Sequence, residues 1–231
     1  MDIMNGLLGF GDKLYQAFLV EDRWRLYLDG LGVTLGITLG AICISTVLGM
    51  VLCLMKMSRH RILRWPAQAY IDIIRGIPVV VQLLIMYNVV LLNVTDNKMV
   101  VAVIAFGLNS SAYMAEIYRS GINAVEKGQM EAGRSLGLNY LDTMRFIVVP
   151  QAFKNILPSL GNEFIILLKD TSLITVIGGK ELLYAAQGIY NRTYEQMFPL
   201  IGTAALYLVL VIILSWLLGK LERRLRQSDR R

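Results

Sequence analysis

Polar side chains recur along one hydrophobic segment late in the chain, and the sharpest of them is an acid. Gln151, Asn155, Ser159 and then either Asn162 or Glu163 follow one another at three- to four-residue intervals, a spacing that draws one stripe down an α-helix. An ionised carboxylate within an apolar span requires a cation. A ligand ammonium or basic side chain would supply it, and so would Lys154 or Lys169. A second polar group, Asn109, Ser110 and Ser111, interrupts another apolar run. Its amide and hydroxyls suit either a ligand carboxylate or a neighbouring helix. The candidates for substrate contact are therefore Glu163, Asn162, Ser159, Asn155, Asn109, Ser110 and Ser111. Their chemistry is recognition, not bond cleavage, and no catalytic residue is expected. His60 stands alone among basic residues, which argues against a metal site. Gly178-Gly179-Lys180 lacks the spacing and the hydroxyl of a phosphate loop, so no ATP site is expected in this chain.

Two further segments carry local structural signals. Arg75, Gly76 and Pro78 stand together in an apolar run, where proline removes a backbone donor and breaks or kinks a helix. They are read as a gate or hinge with Arg75 as its charged element; a plain kink with Arg75 snorkelling to the interface is the competing reading. From Gly128 to Pro150 the chain turns polar. Gln129 to Leu136 can form about two helical turns, and Gly137 suits the left-handed conformation that ends a helix. Asn139 with Asp142 then forms a helix-start signal. The segment is two short helices joined at a glycine hinge.

The elements that hold these residues belong in a bilayer. The chain has 231 residues, of which 55% are hydrophobic, above the roughly 45–50% of soluble domains. Leu31 to Met55 and Met197 to Gly219 contain no charge and each can cross the hydrocarbon core. Ala67 to Leu92, Met99 to Ala115 with an extension toward Ala124, and Ile147 to Leu168 complete a reading of about five spans. Asp2 and Asp12 replace a basic leader region, so a cleaved signal peptide is not expected. Leu7, Leu8, Leu14, Tyr15, Phe18 and Leu19 recur at helical spacing, as in an amphipathic segment on the membrane surface. Gly32, Gly36 and Gly40 are assigned to helix packing. Cys43 and Cys53, about 15 Å apart along one helix, are too distant for a disulfide and are assigned to packing as well.

Lys56, Arg59, Arg61 and Arg64, the bases around Glu131, and the tail from Lys220 to Arg231 fall in alternate connections between the spans and so on one side of the membrane. The positive-inside rule makes these ends cytoplasmic, with the N-terminus outside and the C-terminus inside. The net charge of +6 is thus topological, and nucleic-acid binding has no support.

The ordered motifs resemble a known family. Glu131-Ala132-Gly133, Gly137, Ile147 and Pro150 stand at the spacing of the EAA loop of ATP-binding-cassette (ABC) importer permeases, with Gly133 where a second Ala is common and Val149 where Leu is common. The run from Ala112 to Arg119, Gly128-Gln129, Pro150-Gln151-Ala152-Phe153, Lys169 to Leu173, and Arg75-Gly76-Ile77-Pro78 with Gln82 resemble permeases for polar amino acids, over roughly Gly30 to Gly219. The resemblance implies an all-α integral membrane protein of type I importer permease fold. Residues 1–25 would form an extracytoplasmic amphipathic segment, 26–220 the permease domain with a coupling loop at about 126–145, and 221–231 a basic cytoplasmic tail. It also implies coupling to an ATPase through Glu131, Ala132, Gly133 and Gly137. The partners it implies are two ABC ATPase subunits carrying ATP and Mg, a second permease copy or homologue, an extracytoplasmic amino-acid-binding protein, a polar amino-acid substrate and the lipid bilayer. No cofactor would be bound by this chain itself. A secondary transporter or channel subunit using the same buried polar residues is the alternative.

Overall fold

The computed structural model describes residues 11–13 and 15–227, and every regular element among them is helical. The charge-free stretch after Asp29 lies in the long helix α1 (Arg23–Met57), which ends where Ser58 turns extended. Helix α2 (Arg61–Gly76) and the short α3 (Val79–Ile85) follow, the latter running on through a π turn at Met86–Val90. Asn97 caps α4 (Lys98–Asn123) by accepting from the amides of Met99 and Val100. The polar segment forms α5 (Lys127–Ser135) and α6 (Tyr140–Thr143), and α6 leads through a second π turn at Met144–Val148 into α7 (Val149–Asp170). A 3-10 turn at Thr171–Ile177, α8 (Leu182–Thr193) and α9 (Met197–Gln227) complete the chain.

Three stretches, Val20–Met57, Lys98–Asn123 and Met197–Leu225, are long and apolar enough to cross a membrane. The proposed second span is broken: α2 and the Val79–Val90 stretch meet at 106°. Pro78, which cannot donate a backbone hydrogen bond, sits at the break as the cap of α3. α7, at 22 residues, has the length of the remaining span but carries the polar stripe.

α4 is the most enclosed of the three apolar spans and α9 the least. The backbones of α1 and α4 approach closely because glycine permits it. A Cβ on Gly49 would lie 2.5 Å from Met114 Cβ, and one on Gly107 would lie 2.8 Å from Ile44 Cβ. Small residues serve this purpose between membrane helices. Gly36 and Gly40 also face α4, against Met99 and Val103, but nothing lies within 4 Å of a Cβ on Gly32, so that residue takes no part in helix packing within the single chain. Of the two cysteines assigned to packing, Cys53 is buried and Cys43 is exposed.

The end of the molecule opposite α5 is held by polar contacts. Lys98 Nζ donates to the carbonyl of Gly178 at 3.2 Å. Glu181 caps α8 by accepting from Tyr184 N–H at 3.0 Å, and it also accepts from Tyr207 Oη at 2.8 Å and Thr34 Oγ1 at 3.4 Å. Residues before α1 fold onto this end. Lys13 pairs with Glu195 at 2.9 Å, and the Phe18 ring stacks on Tyr27 at 5.4 Å. Tyr15 and Leu19 are exposed; Leu7, Leu8 and Leu14 of the expected amphipathic stripe lie outside the described residues.

Candidate functional site

The break between α2 and α3 faces α4 and α7, and the three meet around a cavity of about 440 Å³. Freed carbonyls at the break are satisfied by one side chain. Gln82 Nε2 donates to Ile74 O at 2.7 Å and to Ile77 O at 2.8 Å, and Asn109 Nδ2 donates to Gln82 Oε1 at 3.2 Å. Irregular backbone at membrane depth survives when protein groups take over its hydrogen bonds in this way. The break therefore holds Arg75 at the cavity wall, with its guanidinium 5.3 Å from the centre of the Tyr113 ring.

Two acids of α7 belong to the same lining. Glu163 is only 8% exposed, accepts from Ser110 Oγ at 2.7 Å, and lines the cavity with Asp170. Neither acid forms an ion pair with Arg75 among the described residues. The cavity lining thus combines two acids with a guanidinium and the Asn109 amide, groups complementary to a zwitterion. Asp170, at the end of α7, borders the cavity as well. Its position seven residues after Glu163 places it on the same helical face, a signal available in the sequence. Tyr113 and Gln82 stand out there only as motif members.

The other candidates divide. Asn109 lines the cavity, Ser110 reaches it through Glu163, and Ser111 does not reach it. Ser111 is fully buried, donates to Leu108 O at 2.6 Å and meets Tyr70 Oη at 3.1 Å, which are helix-packing contacts. Asn155, Ser159 and Asn162 are exposed in the single chain. Asn155 and Ser159 line a second recess of about 360 Å³ that shares Arg75 with the first. The stripe and Glu163 therefore face different directions. Glu116, beside that recess, accepts from Arg119 Nη2 at 2.8 Å and also pairs with Lys56 of α1, a bridge to a second helix that the sequence does not predict.

The polar loop has the geometry its residues predict. Gly137 takes φ 87°, with Leu138 N–H bonded to Gly133 O and Gly137 N–H to Arg134 O, the double closure of a Schellman motif. Asn139 Oδ1 accepts from Asp142 N–H at 2.9 Å. Gly133 is buried, and its Cβ would lie 2.6 Å from Thr143 Cγ2, so α5 packs closely against α6. Glu131 and Ala132 are exposed or partly so, beside Leu136 at 81% and Leu141 at 75% exposure. The loop thus leaves an acid and two large apolar side chains uncovered.

The model of the binding-protein-dependent transport system inner membrane component matches residues 32–227. The chain belongs to this family. The arginine transport system permease protein ArtQ of Bacillus subtilis (strain 168) is 42% identical over 204 residues, covering 87% of this chain and 93% of ArtQ. The putative glutamine transport system permease protein GlnP of Rickettsia prowazekii (strain Madrid E) is 38% identical over 200 residues, covering 86% and 92%. The crystal structure of an amino acid ABC transporter with histidines superposes with a TM-score of 0.83 at 44% identity, covering 87% of this chain and 94% of that one. The inward-facing MetNI methionine ABC transporter shares the fold, with a TM-score of 0.77 at 19% identity over 90% and 99% of the two chains. The chain is accordingly a helical membrane permease of ABC-importer type, a transport component that works with a binding protein. A secondary transporter or channel subunit is not favoured.

Proposed function

We propose that this chain forms the translocation pathway of an ATP-driven importer for polar amino acids. The observation that carries the reading is the cavity lined by Glu163 and Asp170 together with Arg75 and Asn109. An amino acid brings an ammonium and a carboxylate together, and each finds an opposite charge in a pocket of matching scale. The names of the arginine and glutamine permeases and of the amino acid transporter with histidines support the substrate class. Ligand-dependent ATPase stimulation of the complex reconstituted with its binding protein, screened across amino acids, tests it. Stimulation by polar amino acids is expected, and the absence of any response to them would overturn the reading.

Coupling runs through α5. Glu131, Ala132 and the apolar side chains beside them present a rigid surface to each of two cytoplasmic ATPase subunits, which hold ATP and Mg. Gly133 and Gly137 shape that surface. A second permease copy or homologue completes the pathway, and the exposed Asn155, Ser159 and Asn162 face it. Closure of the ATPases moves α5 as a rigid body, and alternating access follows, with the bias supplied by the different ATP affinities of the two states. The break at Arg75, Gly76 and Pro78 acts as the hinge and gate between the two recesses. The basic loops lie in the cytoplasm of a bacterial cell, with the N-terminus outside. Glu131→Lys should release the ATPase on co-purification, and a reporter active only outside should work near Asn93 or Gln187 and fail near Arg61 or Gln129. Retained ATPase with full uptake, or the reverse reporter pattern, would overturn this arrangement.

A further inference from the structure

α5 touches the helix that carries Glu163 in two physically different ways. The first is steric: the Gly133 backbone rests on Thr143 and Ile147, where an added Cβ would come within 2.6 Å and 2.8 Å of their methyl carbons. The second is a hydrogen bond between side chains. Gln151 Nε2 donates to Gln129 Oε1 at 3.1 Å and to the carbonyl of Ile147 at 3.0 Å. Both glutamines are half-buried and line a recess of about 420 Å³.

Ile147, which takes part in both contacts, belongs to the π turn Met144–Val148, in which Val149 N–H reaches back to Met144 O. Pro150 follows and brings no N–H to the ladder. A π turn beside a proline is a locally weakened stretch of helix, so motion of α5 against this turn alone would be absorbed there. The Gln151 amide spans the joint, with one hydrogen on the turn and the other on α5.

A van der Waals contact resists approach and offers almost nothing against separation beyond its shallow well, whereas a directional hydrogen bond resists both. A cycle of closing and reopening needs push and pull. We infer that the Gln129–Gln151 pair is the positioning link that makes α7 follow α5 when the coupling helix retracts, while Gly133 transmits the opposite stroke. This inference rests on the reading of α5 as the coupling helix.

The test uses the complete complex of permease, ATPase and binding protein in proteoliposomes, with Q129L, Q151L, the double variant Q129L/Q151L, and the charge pair Q129E/Q151K. Each is assayed for ATPase co-purification, basal hydrolysis, thermal stability and substrate carried per ATP hydrolysed. Both single variants should keep the ATPase bound and basal hydrolysis normal, while substrate per ATP falls roughly three- to tenfold, the worth of one hydrogen bond. The double variant should fall no further than the worse single one, and the charge pair should recover most of the loss. Unchanged transport per ATP in Q151L would overturn the link. So would multiplicative losses in the double variant, no recovery by the charge pair, or losses that track thermal stability. Release of the ATPase by Q151L would also overturn it, by making the glutamine part of the docking surface. Failure of the coupling-helix reading is distinct: Glu131→Lys would then leave ATPase binding and uptake intact.

Discussion

Two buried glutamates of this permease have opposite situations. Glu181 is 1% exposed, and its carboxylate accepts from Tyr207, Thr34 and the amide of Tyr184; it joins α1, α8 and α9 at the wall of a separate recess of about 480 Å³. Glu163 is 8% exposed, accepts from Ser110, and borders the cavity shared with Asp170 and Arg75. Burial alone therefore says nothing about transport. The distinction is hydrogen-bond completeness: a carboxylate enclosed by donors serves the fold, and one with free lone pairs over a cavity is available to a ligand.

Replacing Glu181 should have the largest effect and should fall on stability. Glu181→Leu removes an acceptor from the Tyr207 and Thr34 hydroxyls and uncaps α8, a loss of about 3–5 kcal/mol that should lower the thermal midpoint by roughly 10 °C. The surviving fraction should transport with normal ligand affinity. A stable variant with impaired transport would erase the contrast between the two acids.

Glu163→Gln should do the reverse. The amide oxygen still accepts from Ser110, so the thermal midpoint should hardly move, while loss of a charge-assisted bond of about 1.5–3 kcal/mol weakens ligand dependence roughly ten- to a hundredfold. Thermal unfolding and ligand-dependent transport measured on one preparation decide the matter. A destabilised protein whose remaining fraction binds normally would remove Glu163 from the substrate site.

Single hydroxyl deletions give a finer comparison. Ser110→Ala and Thr34→Val each take one donor from a glutamate, at about 1 kcal/mol. The first should appear in ligand affinity, about fivefold, and the second in thermal stability. The same readout for both would mean that the two carboxylates do the same work.

The smallest effect expected is on pH dependence. Burial pushes the Glu181 carboxyl above its ordinary range. A raised folded-state pKa means that its stabilising contribution is fully present below the unfolded value, about 4.3, and is lost as pH rises through the folded one. Thermal stability attributable to this group should therefore fall from acidic toward neutral pH, and Glu181→Gln should flatten the slope. Glu195 has the opposite sign, because Lys13 holds its carboxyl below the ordinary range. Identical slopes in wild type and Glu181→Gln would exclude Glu181 as their source.

The coupling segment is legible in its own residues because its signals act within a few positions. A helix end at Gly137 and a cap at Asn139 depend on backbone conformation and a side chain three residues away. The break at Gly76 and Pro78 is legible for the same reason, although its 106° angle is not. The stripe from Asn155 to Asn162 is correctly periodic, but periodicity does not say which way a face points. Only the packing of α7 against α4 turns Glu163 inward while Asn162 stays exposed.

Membrane residence, the broken second helix and the two-helix loop were determined by the sequence itself, because hydropathy, proline geometry and capping are properties of short stretches. The pairing of Ser110 with Glu163, the Gln82 bridge across the break, and the enclosure of Glu181 were decided by tertiary structure. Each needs groups far apart in the chain to arrive within about 3 Å, and hydrogen bonds of that range are made or lost by how helices cross. Helix crossing here depends on close approaches such as Gly49 against Met114, which no periodicity records.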